Sequence, residues 1–257
     1  MNAATSVADR AAPRLFLFHH AGGSAALYDG WARLLPADWD IVYCDAPGRG
    51  SELRSRPLDD AEALVAHFHR ELAPAMDEGP FAFFGHSMGG LVAYELAVRL
   101  ERQGGPAPFW LGLSSCAAPR PGHRPEELSR YTPERLQDWL LAAGGTDRDV
   151  IRHPMVWRML EPVLRADLRV VESWHPAAGR QPLDAALTVF GGADDALLVP
   201  EKMTGWEQHS ASFTGSHLYD GGHFYLRQRP AEVVGRIVRE IESCRRALAT
   251  ACGEGAC

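Results

Sequence analysis

A serine set between two glycines, Gly85-His86-Ser87-Met88-Gly89, joins the apolar run Phe81-Ala82-Phe83-Phe84 to a stretch of helical character from Leu91 to Gln103. Strand, Gly-x-Ser-x-Gly and helix in that order hold a serine on a sharp turn with its hydroxyl exposed. The glycines let strand and helix approach without Cβ clashes, and the helix N-terminus favours negative charge developing beside it. The chemistry this suits is attack on an acyl carbon, with Ser87 as the nucleophile. The bland alternative, an ordinary turn serine, has no need of glycines on both sides.

An unaided hydroxyl is a poor nucleophile and requires a base. Of the eleven histidines, His19, His20 and His86 precede or abut the serine, His67 and His69 fall on a helix-like segment, and His123, His153 and His175 fall in irregular sequence. His209 and His217 come late but follow no apolar run into a glycine turn. His223 does, in Leu218-Tyr219-Asp220-Gly221-Gly222-His223, and is expected to be the base. The acid that orients it should end a strand between the two, since the order serine, acid, histidine belongs to this arrangement. Leu187-Thr188-Val189-Phe190-Gly191-Gly192-Ala193-Asp194-Asp195 supplies two adjacent carboxylates. Asp195 is preferred. Asp194 is the runner-up, with capping of the following turn as its structural role. Asp138 and Asp167 lie in the irregular region and are less suited. For the oxyanion, one backbone N–H is expected from Met88, and a second from Ala21 in the loop His19-His20-Ala21-Gly22-Gly23-Ser24. That loop also reads as a plain strand-to-helix turn.

Several elements must position these residues. Leu15 to Phe18, Asp40 to Cys44, Phe81 to Phe84, Phe109 to Leu113 and Leu187 to Phe190 are short apolar runs ending in turn residues. Continuous hydrophobicity fits strands covered on both faces of a parallel sheet. Between them come helix-like segments: Ala25 to Leu35, Leu58 to Met76, Leu91 to Gln103, and Ala231 to Leu248 behind Pro230. This alternation predicts an α/β fold with a mostly parallel central sheet and helices on both faces. From residue 119 to 182 the rhythm breaks into helical pieces, Pro133 to Ala142 and Pro154 to Trp174. The second carries the stripe Trp157, Leu160, Val163, Leu164, Leu168, Val171. The segment is either a large crossover or an inserted helical lid, and its position between two core strands favours the lid. Trp157, Leu160, Leu164 and Leu168 are then candidate substrate contacts.

Composition narrows the classes. The chain has 257 residues, 46% of them hydrophobic, which suits a single globular α/β domain, and a net charge of −7 argues against binding a nucleic-acid backbone. The N-terminus to Pro13 has no apolar core of a secretory signal, and no run approaches a membrane span, so the protein is expected to be cytoplasmic. The five cysteines show neither framework spacing nor a zinc pattern, and no metal is expected. Cys44 and Cys116 read as buried thiols, and Cys252 and Cys257 as part of a frayed tail over 249–257.

The same residues carry a resemblance. Leu17-Phe18-His19-His20-Ala21-Gly22-Gly23-Ser24, Ala46-Pro47-Gly48-Arg49-Gly50, Gly85 to Gly90, Leu164-Arg165-Ala166-Asp167, Gly191 to Asp195 and Gly221-Gly222-His223-Phe224 together resemble the stand-alone type II thioesterases of polyketide and nonribosomal peptide synthases, over nearly the whole chain. The resemblance implies an α/β-hydrolase fold with a helical lid and a Ser87–Asp195–His223 triad. It also implies hydrolysis of acyl thioesters on the phosphopantetheine arm of acyl or peptidyl carrier proteins, with no cofactor of the enzyme's own. The chain departs from the family at His20, where proline is frequent, and at Ser51-Glu52-Leu53, where a second arginine is common. Composition and spacing alone indicate a serine hydrolase. A small-molecule esterase or lipase-like enzyme, and a non-catalytic synthase-binding protein, are the competing classes; the filled triad disfavours the last. Carrier proteins are usually acidic, so a basic docking patch would be wanted, from Arg49, Arg54 and Arg56 or from Arg152, Arg158, Arg165 and Arg169. Each of these also reads as a solvated surface charge.

Overall fold

The computed structural model describes residues 12–119, 126–144, 148–176, 179–198 and 203–253. Among the described residues six strands form one sheet: β1 Arg14–Phe18, β2 Asp40–Cys44, β3 Phe81–His86, β4 Trp110–Ser114, β5 Leu183–Gly192 and β6 Ser210–Tyr219. Their order is β2-β1-β3-β4-β5-β6 and every pair is parallel. Successive side chains on a strand point to opposite faces, and β1 divides accordingly. Phe16 and Phe18 join one core with Phe83, while Leu15 and Leu17 join the other with Ala82 and Phe84. Both faces of the inner strands β1, β3 and β4 are buried, which is why those strands are apolar almost throughout.

The first face is covered by α1 Ala61–Met76 and α2 Met88–Gln103. The opposite face is covered by α7 Pro230–Gly253, through Val233, Val234, Ile237 and Ile241, all fully buried. Burying side chains of this size stabilises by about 1.5–3 kcal/mol each. Between β4 and β5 stand α3 Pro133–Ala143, α4 Arg148–Arg152 and α5 Pro154–Ser173, where the sequence places the insertion. Their apolar faces form a separate small core of Leu136, Leu140, Ile151, Trp157, Leu164 and Leu168. A four-residue helix, α6 Tyr225–Gln228, precedes α7.

Three elements differ from expectation. Ala25 to Leu35 is two short 3-10 turns, Ala25–Tyr28 and Trp31–Arg33, separated at Asp29-Gly30. The strand β6 was visible in sequence only at its end, because it is an edge strand with alternating burial and many serines. The final helix runs on to Gly253, into the segment expected to fray. Residues 254–257 with Cys257, His123, and residues 1–11 of the N-terminal stretch to Pro13 where no secretory signal is expected lie outside the described residues, as does the side chain of Cys252. Among the described residues no helix is long and apolar enough to cross a membrane.

Candidate active site

Parallel strands all end at the same edge of the sheet, so the loops after β1, β3, β4, β5 and β6 converge there. Ser87 follows β3, near the middle of that edge. Its backbone is held at φ 56° and ψ −118°, a left-handed conformation costly for any residue with a Cβ. Close packing enforces it. A Cβ on Gly85 would stand 2.1 Å from the Gly89 carbonyl oxygen, and one on Gly89 would stand 2.2 Å from that of Phe18. Ser87 occupies the position that caps α2, where serine hydroxyls ordinarily bond a backbone N–H. Here the side chain makes no capping bond, so the hydroxyl is left for other work. The turn is also fixed from β4, by a 2.7 Å bond from Ser87 N–H to the Ser114 carbonyl.

Asp195 and His223 meet for a backbone reason. The loops after β5 and β6 are stitched by Ala193 N–H to the Tyr219 carbonyl at 2.8 Å and Asp194 N–H to the Gly221 carbonyl at 3.0 Å. Gly192 allows the approach, since a Cβ there would lie 2.3 Å from the Gly222 carbonyl oxygen. The two side chains are then brought together, with His223 Nδ1 2.8 Å from Asp195 Oδ2, both buried. Asp195 Oδ1 accepts the N–H groups of Leu197 at 2.9 Å and Leu198 at 3.0 Å. Burial works to raise the Asp195 pKa. The bond and charge of His223, with the Leu197 N–H, outweigh it and hold the carboxyl below its usual range. Asp194, the runner-up, is exposed, and the capping role expected of it is performed by Asp195.

The histidines around His223 are kept neutral. His86, whose ring centre lies 5.0 Å from that of His223, has its pKa pushed well down, first by burial and then by its histidine neighbours. Its Nδ1 is 2.8 Å from Ser114 Oγ, which in turn is 2.7 Å from the buried Tyr225 hydroxyl. Burial lowers His20 in the same way, and its ring packs edge-on to Phe224. A charge on either ring would oppose an imidazolium forming at His223.

Ser87, Met88, Ala21 and His223 all line one cavity of about 510 Å³. Its walls are mainly apolar: Leu91 and Cys116 from the sheet side, and Trp139, Leu140, Leu168, Val171 and Trp174 from the insertion and its end. Burial pushes the Cys116 thiol up to about 12, so it contributes wall rather than reactivity. Of the four apolar residues expected to touch substrate, Leu168 lines the cavity. Trp157, Leu160 and Leu164 do not; they pack within the insertion and against Ala21 and Gly22. Helical periodicity identified the buried stripe but not which part of it faces the cleft. Trp139 and Trp174 were missed, although large aromatics flanking an apolar stripe are the available signal.

The arginines that could supply a basic patch have mixed surroundings. Arg49 is buried and paired with Asp167. Arg152 pairs with Asp138, Arg165 with Glu161 and Arg169 with Asp59. Arg54, Arg56 and Arg158 are exposed. Among the described residues no group of three or more His, Cys, Asp or Glu side chains could hold a metal.

Comparison with known proteins places this site in a family. Residues 13–243 match the model of the thioesterase domain. The chain belongs to the thioesterase domain family. Among solved structures it is similar to RedJ, a thioesterase from the prodiginine biosynthetic pathway in Streptomyces coelicolor, at 34% identity and TM-score 0.80, covering 90% of this chain and 87% of that one. It is also similar to YbtT, a type II thioesterase from the yersiniabactin NRPS/PKS pathway, at 28% identity and TM-score 0.80, covering 90% and 94%. A curated relative from Brevibacillus parabrevis, named linear gramicidin dehydrogenase LgrE, is 30% identical over 89% of this chain and 88% of its own. The present chain has no Gly-x-Gly-x-x-Gly run of a dinucleotide site. The parallel sheet with its helices is the α/β-hydrolase fold of these thioesterases, and the family's reaction is hydrolysis of thioesters.

Proposed function

We propose that this thioesterase hydrolyses acyl groups from the phosphopantetheine arm of acyl or peptidyl carrier domains, clearing stalled or aberrant intermediates from a polyketide or nonribosomal peptide synthase in the cytoplasm. The observation that carries the reading is His223, paired with the buried Asp195, on the same apolar cavity as a serine held in a strained elbow. The similarity to thioesterases of such pathways supplies the substrate class.

In the proposed cycle Ser87 Oγ attacks the thioester carbonyl while His223 takes its proton. Asp195 holds the imidazole with Nδ1 protonated and stabilises the imidazolium. The carbonyl electrons move to oxygen, which the N–H groups of Met88 and Ala21 stabilise. Met88 opens α2, so its N–H has no acceptor within the helix. The tetrahedral intermediate collapses, the C–S bond breaks, and the departing sulfur takes the proton from His223. Water then attacks the acyl-serine with His223 again as base, releasing the carboxylic acid and restoring Ser87. The enzyme contributes no cofactor to these steps; the phosphopantetheine arrives with the carrier.

The test is hydrolysis of one acyl chain presented as a carrier-bound thioester, as a small thioester and as an oxygen ester. The expected result is a kcat/KM highest on the carrier. A preference for the oxygen ester would instead make the protein a small-molecule esterase.

The cavity wall gives a second expectation. Leu168→Ala should shift the preference order among acetyl, propionyl and longer acyl carriers, by up to about 10- to 200-fold in relative kcat/KM for each methylene gained or lost in contact. Trp157→Ala, in the insertion's own core, should leave that order unchanged and lower Tm, as truncating a buried tryptophan costs about 3–5 kcal/mol. Matched acyl profiles and thermal melts of the two variants decide it; an unaltered order in Leu168→Ala would remove that side chain from the acyl path.

A further inference from the structure

Asp167 is a charge where the buried stripe of α5 calls for an apolar side chain, flanked on the helix by Leu164 and Leu168 and only 1% exposed. Its carboxylate makes three hydrogen bonds. Oδ2 accepts from the backbone N–H of Gly22 at 2.7 Å and from Arg49 Nη1 at 2.5 Å, and Oδ1 accepts from Arg49 Nη2 at 2.9 Å. Arg49 Nη2 also donates to the Pro47 carbonyl at 3.0 Å. Removing two full charges from water is costly, and an apolar pair of similar size frequently holds a core as well or better. Stability therefore does not explain the pair. Its third partner does.

The N–H of Gly22 belongs to the peptide that follows Ala21, whose own N–H is the loop donor assigned to the oxyanion. With Gly22 N–H taken by Asp167 and Gly23 N–H by the His20 carbonyl at 3.0 Å, the chain on the far side of Ala21 is fixed. The near side is fixed by His19, buried with Nδ1 2.8 Å from the His20 carbonyl and Nε2 accepting from Ala46 N–H at 3.0 Å. The lid helix touches the same spot with carbon as well. Leu164 Cδ1 lies 3.0 Å from where a Cβ on Gly22 would stand, and Gly22 has φ +72°. The neighbouring Leu168 lines the cavity. Adjacent residues of one helix thus reach the acyl space and the oxyanion loop.

We propose that Asp167, held by Arg49, is a positioning residue that fixes the Ala21–Gly22 peptide, and through it the direction of the Ala21 N–H that binds the oxyanion, and makes that geometry depend on the seating of α5. This rests on the triad and oxyanion assignment above. The test compares two variants that both lack the buried charges. Arg49→Met with Asp167→Asn keeps an oxygen able to accept from Gly22 N–H; Arg49→Met with Asp167→Leu does not. The substrate is a short acyl thioester of N-acetylcysteamine, and an alkyl trifluoromethyl ketone, which adds to the serine to form an oxyanion, reports transition-state binding.

The leucine variant is expected to fall about 10- to 100-fold below the asparagine variant in kcat, less than the roughly 10²- to 10³-fold loss on deleting an oxyanion donor outright. Its affinity for the ketone should fall by the same factor, with KM within about threefold, since the interaction lost is one made in the transition state. Equal kcat and equal ketone affinity in the two would overturn the proposal, as would losses that follow Tm instead of the missing acceptor. Asp167→Glu, which keeps the charge and displaces the carboxylate by one methylene, should show the same kcat-without-KM loss and serves if the leucine variant does not fold. Ser87→Ala run alongside separates the two failures. An active Ser87→Ala enzyme removes the site assignment itself, whereas an inactive one beside equal double variants removes only the positioning role.

Discussion

Ser87→Ala is expected to abolish turnover, with kcat lower by on the order of 10⁶, while the protein melts within a few degrees of the wild type. The two halves of that statement have separate physical grounds. Activity goes because the reaction loses the atom that forms the acyl-enzyme bond, and the basic imidazole of His223 then has no hydroxyl to activate. Stability stays because the hydroxyl does nothing for the fold that the structure records. It caps no N–H of α2, and alanine retains the Cβ already tolerated at φ 56°. Ser87→Gly sharpens the point. It is equally inactive, yet it relieves a left-handed strain worth about 1–3 kcal/mol and should melt higher than either. Single-turnover hydrolysis of an acyl-carrier thioester, paired with thermal melts of all three proteins, is the measurement. Retention of more than a few per cent of the activity in Ser87→Ala would take the nucleophile away from this position, and with it the catalytic reading of the elbow.

What could be read from sequence follows how local each determinant is. The strands β1, β3, β4 and β5 announce themselves because burial on both faces leaves little room for alternation, and Leu15 to Phe18 are all buried; the edge strand β2 is only partly buried but keeps the apolar run Ile41-Val42-Tyr43-Cys44. The strand β6 hides because an edge strand answers to solvent on one side, and Ser212, Thr214 and Ser216 look like loop. Ser87, Asp195 and His223 are legible because each needs a special turn at a strand end, and turns are written in glycine. The Arg49–Asp167 pair spans 118 residues of chain. Two local facts hint at it, an arginine between glycines and an aspartate inside an apolar stripe, but neither names its partner. The apolar stripe of α5 shows a third case. Leu164 and Leu168 are a helical turn apart and share a face, yet one rests on the loop at Gly22 and the other borders the cavity. Period identifies the buried face, and only packing decides what that face meets.

Asp195→Asn is expected to lower kcat by up to about 10⁴-fold, and the structure says why the amide cannot rescue itself by rotating. Oδ1 of Asp195 accepts two backbone N–H groups, from Leu197 and Leu198, and Oδ2 faces His223 Nδ1. In asparagine only the oxygen can accept, so the two backbone donors draw it to the Oδ1 position and turn the NH₂ toward the imidazole. That forces Nδ1 to be the acceptor and puts the ring proton on Nε2, the nitrogen that must take the proton from Ser87. Because the two caps survive, Tm should change little, and the loss should appear in kcat with KM nearly constant. Asp194→Asn, at an exposed carboxylate while His223 Nδ1 is paired with Asp195, should stay within about twofold of wild type, as surface substitutions ordinarily do. Asp195→Ala separates orientation from tautomer. It drops both caps and should melt lower than Asp195→Asn, yet it leaves His223 free to choose its tautomer and should be no less active. Should Asp194→Asn prove the damaging change and Asp195→Asn the mild one, the acid sits one position earlier and the Asp195–His223 contact is not the catalytic one.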